Sequence, residues 1–177
     1  MKFVLALSSV VITVGILSIP VVWGDSKYKS SGVLAVTNPV YTEECGSCHM
    51  AYPPGLLPAR SWTKIMTSLE NHFGESAELD TQTSQSISQL LQKYSADQSD
   101  YRRSRKFNKS IKSTDVPIRI SETPYFIRKH DEIPTSMVAG NPKVKSFSQC
   151  NACHAKAEQG SYNEHNISIP GYGRWDD

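Results

Sequence analysis

The sequence predicts a mainly α-helical protein, and three observations carry that expectation. From Ala59 onward, Trp62, Ile65, Met66, Leu69, His72 and Phe73 recur at three- and four-residue steps, the period of one helical face, with Gly74 as the stop. A second face, Ile87, Leu90, Leu91 and Tyr94, follows Asp80 in the capping position. Thr123-Pro124 then reads as the N-cap and first residue of a helix carrying Tyr125, Phe126, Ile127 and His130, bounded by Pro134.

The other elements follow in chain order. Met1-Lys2 and the apolar run Phe3–Trp23, interrupted by Pro20 and closed by Gly24, have the form of a secretory signal peptide over residues 1–24. The same run is long enough to span a bilayer, so a retained anchor is the alternative. Residues 25–40 show no periodicity and read as an extended lead-in. Thr42-Glu43-Glu44 reads as an acidic helix start, since carboxylates favour the positive end of a helix. Ala51–Pro58 is too rich in proline for a helix and forms a loop with Leu56 and Leu57 available for packing.

Residues 96–114 are a polar break carrying Arg102, Arg103, Arg105, Lys106, Lys109 and Lys112. A solvated linker is the plain reading; a docking patch for an acidic partner is the sharper one. Val116–Ser121 reads as a short extended piece, and Lys143–Ala157, with Val144, Phe147 and Cys150 on one face, as a further helix. The tail Ser161–Asp177 reads as extended chain wrapped on the surface. The expected division is therefore a leader (1–24), an N-terminal unit (25–95), the linker (96–114) and a C-terminal unit (115–177). With 19 Lys and Arg against 17 Asp and Glu, the charge balance does not suggest a nucleic-acid partner.

The chemistry lies in the four cysteines. They form Cys45-Gly46-Ser47-Cys48-His49 and Cys150-Asn151-Ala152-Cys153-His154. Cys-x-x-Cys-His is the attachment pattern of a c-type haem: both thiols join the macrocycle as thioethers and the histidine lies beneath the iron. Two disulfides, a zinc knuckle or a redox dithiol would each explain cysteine pairs. None of them requires a histidine directly after the second cysteine, twice over. The sequence thus implies two covalently bound haems c, whose apolar bulk would supplement a chain poor in aliphatic core residues. Export fits, because haem is joined to such sites outside the cytoplasm.

His49 and His154 are then the proximal iron ligands, and the sixth position decides function. A second strong ligand closes the iron; an empty position leaves room for a small molecule. His72 lies on the apolar face of its predicted helix, and His130 lies four residues after Phe126 on another. These two are the candidates, with His72 assigned to the first haem and His130 to the second by shortest separation, a crossed arrangement being the alternative. His165, in the polar tail, and Met137, in a loop after Pro134, are the reserves. Relative to methionine–histidine ligation, two histidines lower the reduction potential. The cations of 96–114 could alternatively pair with haem propionates.

Four stretches carry a resemblance to a known family. They are Glu44–Trp62 (with Pro-Pro-Gly-Leu-Leu-Pro-Ala-Arg-Ser-Trp as its most specific part), Asn71-His-Phe-Gly-Glu75, Ile120-Ser-Glu-Thr-Pro-Tyr-Phe126, and the Cys-Asn-Ala-Cys-His tail ending Ile167-Ser-Ile-Pro170. Together they resemble the small dihaem cytochromes c of bacterial periplasms, over roughly residues 40–172. The resemblance implies a small helical, class I cytochrome-like N-terminal unit and a less regular haem-binding C-terminal unit. It also implies bis-histidine irons, supporting His49 with His72 and His154 with His130. Its expected partners are redox proteins: a membrane b-type cytochrome as donor and an oxygen-binding monohaem cytochrome as acceptor.

The leading functional expectation is a periplasmic electron carrier with no small-molecule substrate. The rival is a small dihaem enzyme, of peroxidase or thiosulfate-oxidising type, with one open iron. Enough histidines exist to close both sites, and no cysteine is left over to serve as an iron thiolate.

Overall fold

The computed structural model describes residues 32–175. The expected leader lies outside the described residues, as does the lead-in up to residue 31. Among the described residues no helix is long and apolar enough to cross a membrane.

Among the described residues, seven α-helices and a two-stranded hairpin follow in order: α1 Pro39–Gly46, α2 Ala59–Met66, α3 Thr81–Lys93, α4 Arg102–Ser110, α5 Pro124–His130, α6 Thr135–Val138, α7 Cys150–Cys153, β1 Ser168–Ile169 and β2 Gly173–Arg174. The strands are antiparallel, with Ser168 opposite Arg174 and Ile169 opposite Gly173. The mainly α class is as expected.

Two elements form as the caps dictate. Asp80 accepts from the Gln82 and Thr83 amides at 2.9 and 3.0 Å and starts α3, which buries Ile87 and Leu91. Pro124 opens α5, which buries Tyr125 and Phe126.

Several expectations need correction. α1 begins before Thr42: Asn38 accepts from the Tyr41 amide at 2.9 Å and Pro39 takes the first position, so Glu43 and Glu44 lie mid-helix. α2 stops at Met66, short of Gly74. The Thr67 hydroxyl donates to Lys64 O, and the Ser68 hydroxyl donates to Lys64 O and Ile65 O, closing the last turn from outside. His72 and Phe73 therefore sit in a loop. The predicted helix Lys143–Ala157 is only α7, because Asn141 Oδ1 accepts from the Lys143 amide and Lys145 is left-handed at φ 69°.

The fourth correction concerns the supposed linker. Residues 102–110 are helical, and Ser104 and Phe107 are buried. Asp97 caps α2 by accepting from the Ala59 amide at 2.8 Å. Arg60 of α2 donates to the Lys112 and Asp115 carbonyls at 2.9 and 2.7 Å. The segment is bound at both ends and forms part of the core. Val116–Ser121 forms no strand, and its last residues enter a 3-10 turn over Ile120–Glu122. The tail is the β1–β2 hairpin with a preceding 3-10 turn, and Ile169 is buried.

Two apolar clusters result. One gathers Tyr41, Leu57, Trp62, Ile87 and Leu91; the other gathers Val33, Leu56, Phe107, Tyr125 and Phe126. Tyr52 and Ile120 pack against both. The Pro-rich loop feeds them alternately, sending Leu56 to one and Leu57 to the other, while Trp62 Nε1–H donates to Pro54 O at 2.7 Å. At the chain's described start, the Val33 amide donates to Gly160 O at 3.0 Å. A side chain on Gly32 would collide with that carbonyl, and Gly160 itself is left-handed at φ +74°.

Candidate functional site

The first motif straddles the end of α1: Cys45 lies in its last turn, Ser47 is the C-cap, and Cys48 and His49 follow just beyond. The His49 Nδ1–H donates to Met50 O at 2.8 Å, which leaves Nε2 with its lone pair outward. Tyr52 stacks on this ring at 4.6 Å. Facing it is His72, with ring centres 6.3 Å apart and planes inclined by 35°. His72 is presented by a tight loop: its amide donates to Glu75 O at 2.7 Å, Phe73 is left-handed at φ 59°, and Gly74 follows at φ 103°. Arg119 covers the Phe73 ring at 3.9 Å.

The second motif forms α7, with His154 directly after it. His130, the last residue of α5, faces it at 6.2 Å between ring centres, with planes inclined by 78°. The His130 Nδ1–H donates to Phe126 O at 2.9 Å, and the Phe126 ring lies flat against it at 3.8 Å. His130 thus also offers Nε2. The cavity between the imidazoles is walled by Leu56, Phe107, Phe126, Val144 and Ile169. Burial, then His130 and Arg103, push His154 down to about 4. His72 is likewise lowered, by burial, His49 and Arg119. A ring kept neutral is the form that binds iron.

Several features test whether haem fits. A metal–imidazole bond of about 2.0 Å on each side, plus about 1.1 Å from nitrogen to ring centre, places two axial imidazoles about 6.2 Å apart. Both observed pairs match that span. At the second cavity, Arg103 Nε and the Tyr162 hydroxyl are buried without a hydrogen-bond partner. The rest of the guanidinium donates to Tyr125 Oη at 3.2 Å and Tyr162 O at 2.9 Å. A bound group that carries carboxylates, as haem does, would offer acceptors to both orphans. The residues fit the cofactor.

The competing readings of the cysteines fare worse. No disulfide joins any two of the four. Among the described residues no three His, Cys, Asp or Glu side chains gather as a zinc site requires. Burial pushes Cys45 and Cys150 up to about 11, the reverse of an activated redox dithiol.

The reserves are not brought to either site. His165 is exposed on the 3-10 turn Glu164–Asn166, and Met137 lies in α6 rather than in a loop, with neither lining the cavity. Sequence reasoning gave no separate role to Tyr52, Arg103, Phe126 or Tyr162. Tyr52, three residues after His49, was within reach of a local reading. Arg103 and Tyr162 lie 59 positions apart, and only the fold pairs them.

Comparison with known proteins gives a consistent result. A family model described as dihaem cytochrome c matches residues 41–162. Among solved structures, a diheme cytochrome type c from Shewanella baltica is 49% identical, with a TM-score of 0.66, over 78% of this chain and 98% of that one. A diheme cytochrome c from Rhodobacter sphaeroides is 46% identical, with a TM-score of 0.65, over 73% of this chain and 100% of its own. No curated protein matches.

Proposed function

The chain belongs to the dihaem cytochrome c family, and from that premise we propose that it is an exported one-electron carrier with each iron closed by two histidines. When bound, the two haems c supply reversible one-electron iron chemistry. Cys45 and Cys48 hold one of them, Cys150 and Cys153 the other. In this reading His49 and His72 would hold the iron of the first, and His154 and His130 that of the second.

The observation that carries the reading is the matched span of the two imidazole pairs, 6.3 and 6.2 Å. The carbonyls of Met50 and Phe126 fix His49 and His130 in one tautomer and orientation. One ring of each pair, held this way, changes little in position when charge arrives, which suits fast transfer. The apolar wall of the second cavity keeps water from the imidazoles. A small dihaem enzyme would need an iron with one open position, whereas each motif histidine here has a facing imidazole. Export to the periplasm is supported by the leader pattern in residues 1–24 and by the attachment chemistry. Partners in this reading are other haem proteins, a membrane b-type cytochrome upstream and an oxygen-binding monohaem cytochrome downstream.

Low-temperature EPR of the ferric protein, with haem counted per chain, tests the proposal. Two low-spin signals are expected, and they should differ because the imidazole planes are inclined by 35° in one pair and 78° in the other. No methionine band should appear in the near infrared. A substantial high-spin signal would sink the closed-iron reading and turn attention to small-molecule chemistry.

A further inference from the structure

Helices α4 and α5 pack together and carry a segregated charge. α4 holds Arg102, Arg103, Arg105, Lys106 and Lys109, α5 holds Arg128 and Lys129, and neither contains a carboxylate. The chain as a whole is nearly balanced, so this one-sidedness is a matter of placement. Between the helices runs a groove lined by Lys106, Lys109, Arg128 and Lys129 over Pro124 and Tyr125. Lys106 and Arg128 both lie toward the Tyr125 ring, at 5.9 and 5.5 Å. Glu164 answers Lys129 at 2.9 Å from outside the two helices. Like charges crowded this way are costly alone and favourable against an acidic surface. The crowding is felt at Lys106, which burial, Arg102, Arg103 and Lys129 all push below the usual lysine range.

Position gives the groove its meaning. Tyr125 and Lys129 line both the groove and the cavity between His130 and His154. A protein seated on the groove therefore stands directly against the wall of the second site. We propose that the α4–α5 groove is where an acidic redox protein docks to exchange electrons with the second haem. This rests on the carrier reading above.

The test is stopped-flow oxidation of the fully reduced holoprotein by two reagents of opposite charge. These are hexacyanoferrate(III), an anion, and tris(phenanthroline)cobalt(III), a cation, each with and without poly-L-glutamate as an acidic polypeptide. At low salt the K106E/K109E/R128E variant should lose about tenfold in rate with hexacyanoferrate and gain with the cobalt complex. Poly-L-glutamate should slow hexacyanoferrate oxidation of the wild type and leave the variant unaffected. The milder K106Q/K109Q/R128Q variant should move the same way by less, which covers a folding defect in the first. Rates indifferent to the substitutions and to poly-L-glutamate would overturn the proposal. Reversible uptake of two electrons by wild type and variants alike keeps the carrier reading intact whichever way the charge test falls.

Discussion

The Tyr52 hydroxyl donates to the Ser148 carbonyl oxygen at 2.7 Å, across 96 positions of chain. The same ring stacks on His49, and Ser148 lies two residues before Cys150, so one side chain ties the first motif to the second. Tyr52→Phe should leave both haems low-spin while costing about 1–2 kcal/mol, because a half-buried carbonyl loses its donor. Calorimetry should show a melting temperature lower by about 2–6 °C for a domain of this size. An unchanged transition would mean that water replaces the hydroxyl.

Removing a facing imidazole should open one iron at a time. His72→Ala should turn one ferric haem high-spin and leave the other as it was, and added imidazole should restore the low-spin spectrum. His130→Ala should do the same at the second site, with a further loss of stability because the ring that stacks on Phe126 is gone. His165→Ala and Met137→Leu should leave the visible spectrum unchanged. A wild-type spectrum for His72→Ala would exclude that ligand.

Arg103 should tune the second site alone. A guanidinium at the cavity wall favours the state that carries one more electron, so Arg103→Gln should lower the second reduction potential by tens of millivolts. Spectropotentiometric titration would resolve this, with the first potential fixed as the internal control. Tyr162→Phe, which removes an orphaned hydroxyl but no charge, should shift it less.

Asp80 should give α3 an acid-sensitive end. Hydrogen bonds from Thr83, and from the Gln82 amide, hold its carboxyl below the usual range. Its stabilisation is therefore present above the unfolded carboxyl range and is lost as pH falls through the lowered folded value. Asp80→Asn keeps a capping oxygen and should flatten this part of the acid limb in a circular-dichroism melt series. Asp80→Ala should lower stability at neutral pH as well.

Local signals in the sequence were readable where they were decisive. Asp80 and Thr123-Pro124 placed α3 and α5 because a cap acts on its own neighbours. Asn38-Pro39 is an equally local start signal for α1, and it outranks the acidic pair Glu43-Glu44 because the Asn38 side chain caps the Tyr41 amide directly. α2 was overextended because the apolar period runs on to Phe73, while the hydroxyls of Thr67 and Ser68 end the helix. α4 was hidden by its charges: Ser104 and Phe107 are the buried residues of an otherwise polar run, too few to show a period.

The site divides the same way. Thioether attachment demands a fixed spacing, so Cys45, Cys48, His49 and their counterparts were legible at once. His72 and His130 follow from the need for a sixth ligand; the fold sets both opposite a motif histidine, though His72 reaches its place from a loop rather than a helix. The Arg103–Tyr162 pair leaves no linear trace.

The hydrogen bond from Val33 to Gly160 also ties residues 32 and 33 to the second motif. Gly32 is held against Gly160, six residues after His154, and its carbonyl accepts from the Arg103 amide at 3.2 Å. Residues 32 and 33 are thereby pinned to the flank of the second motif, next to α4, so a larger residue at either glycine would loosen both contacts at once.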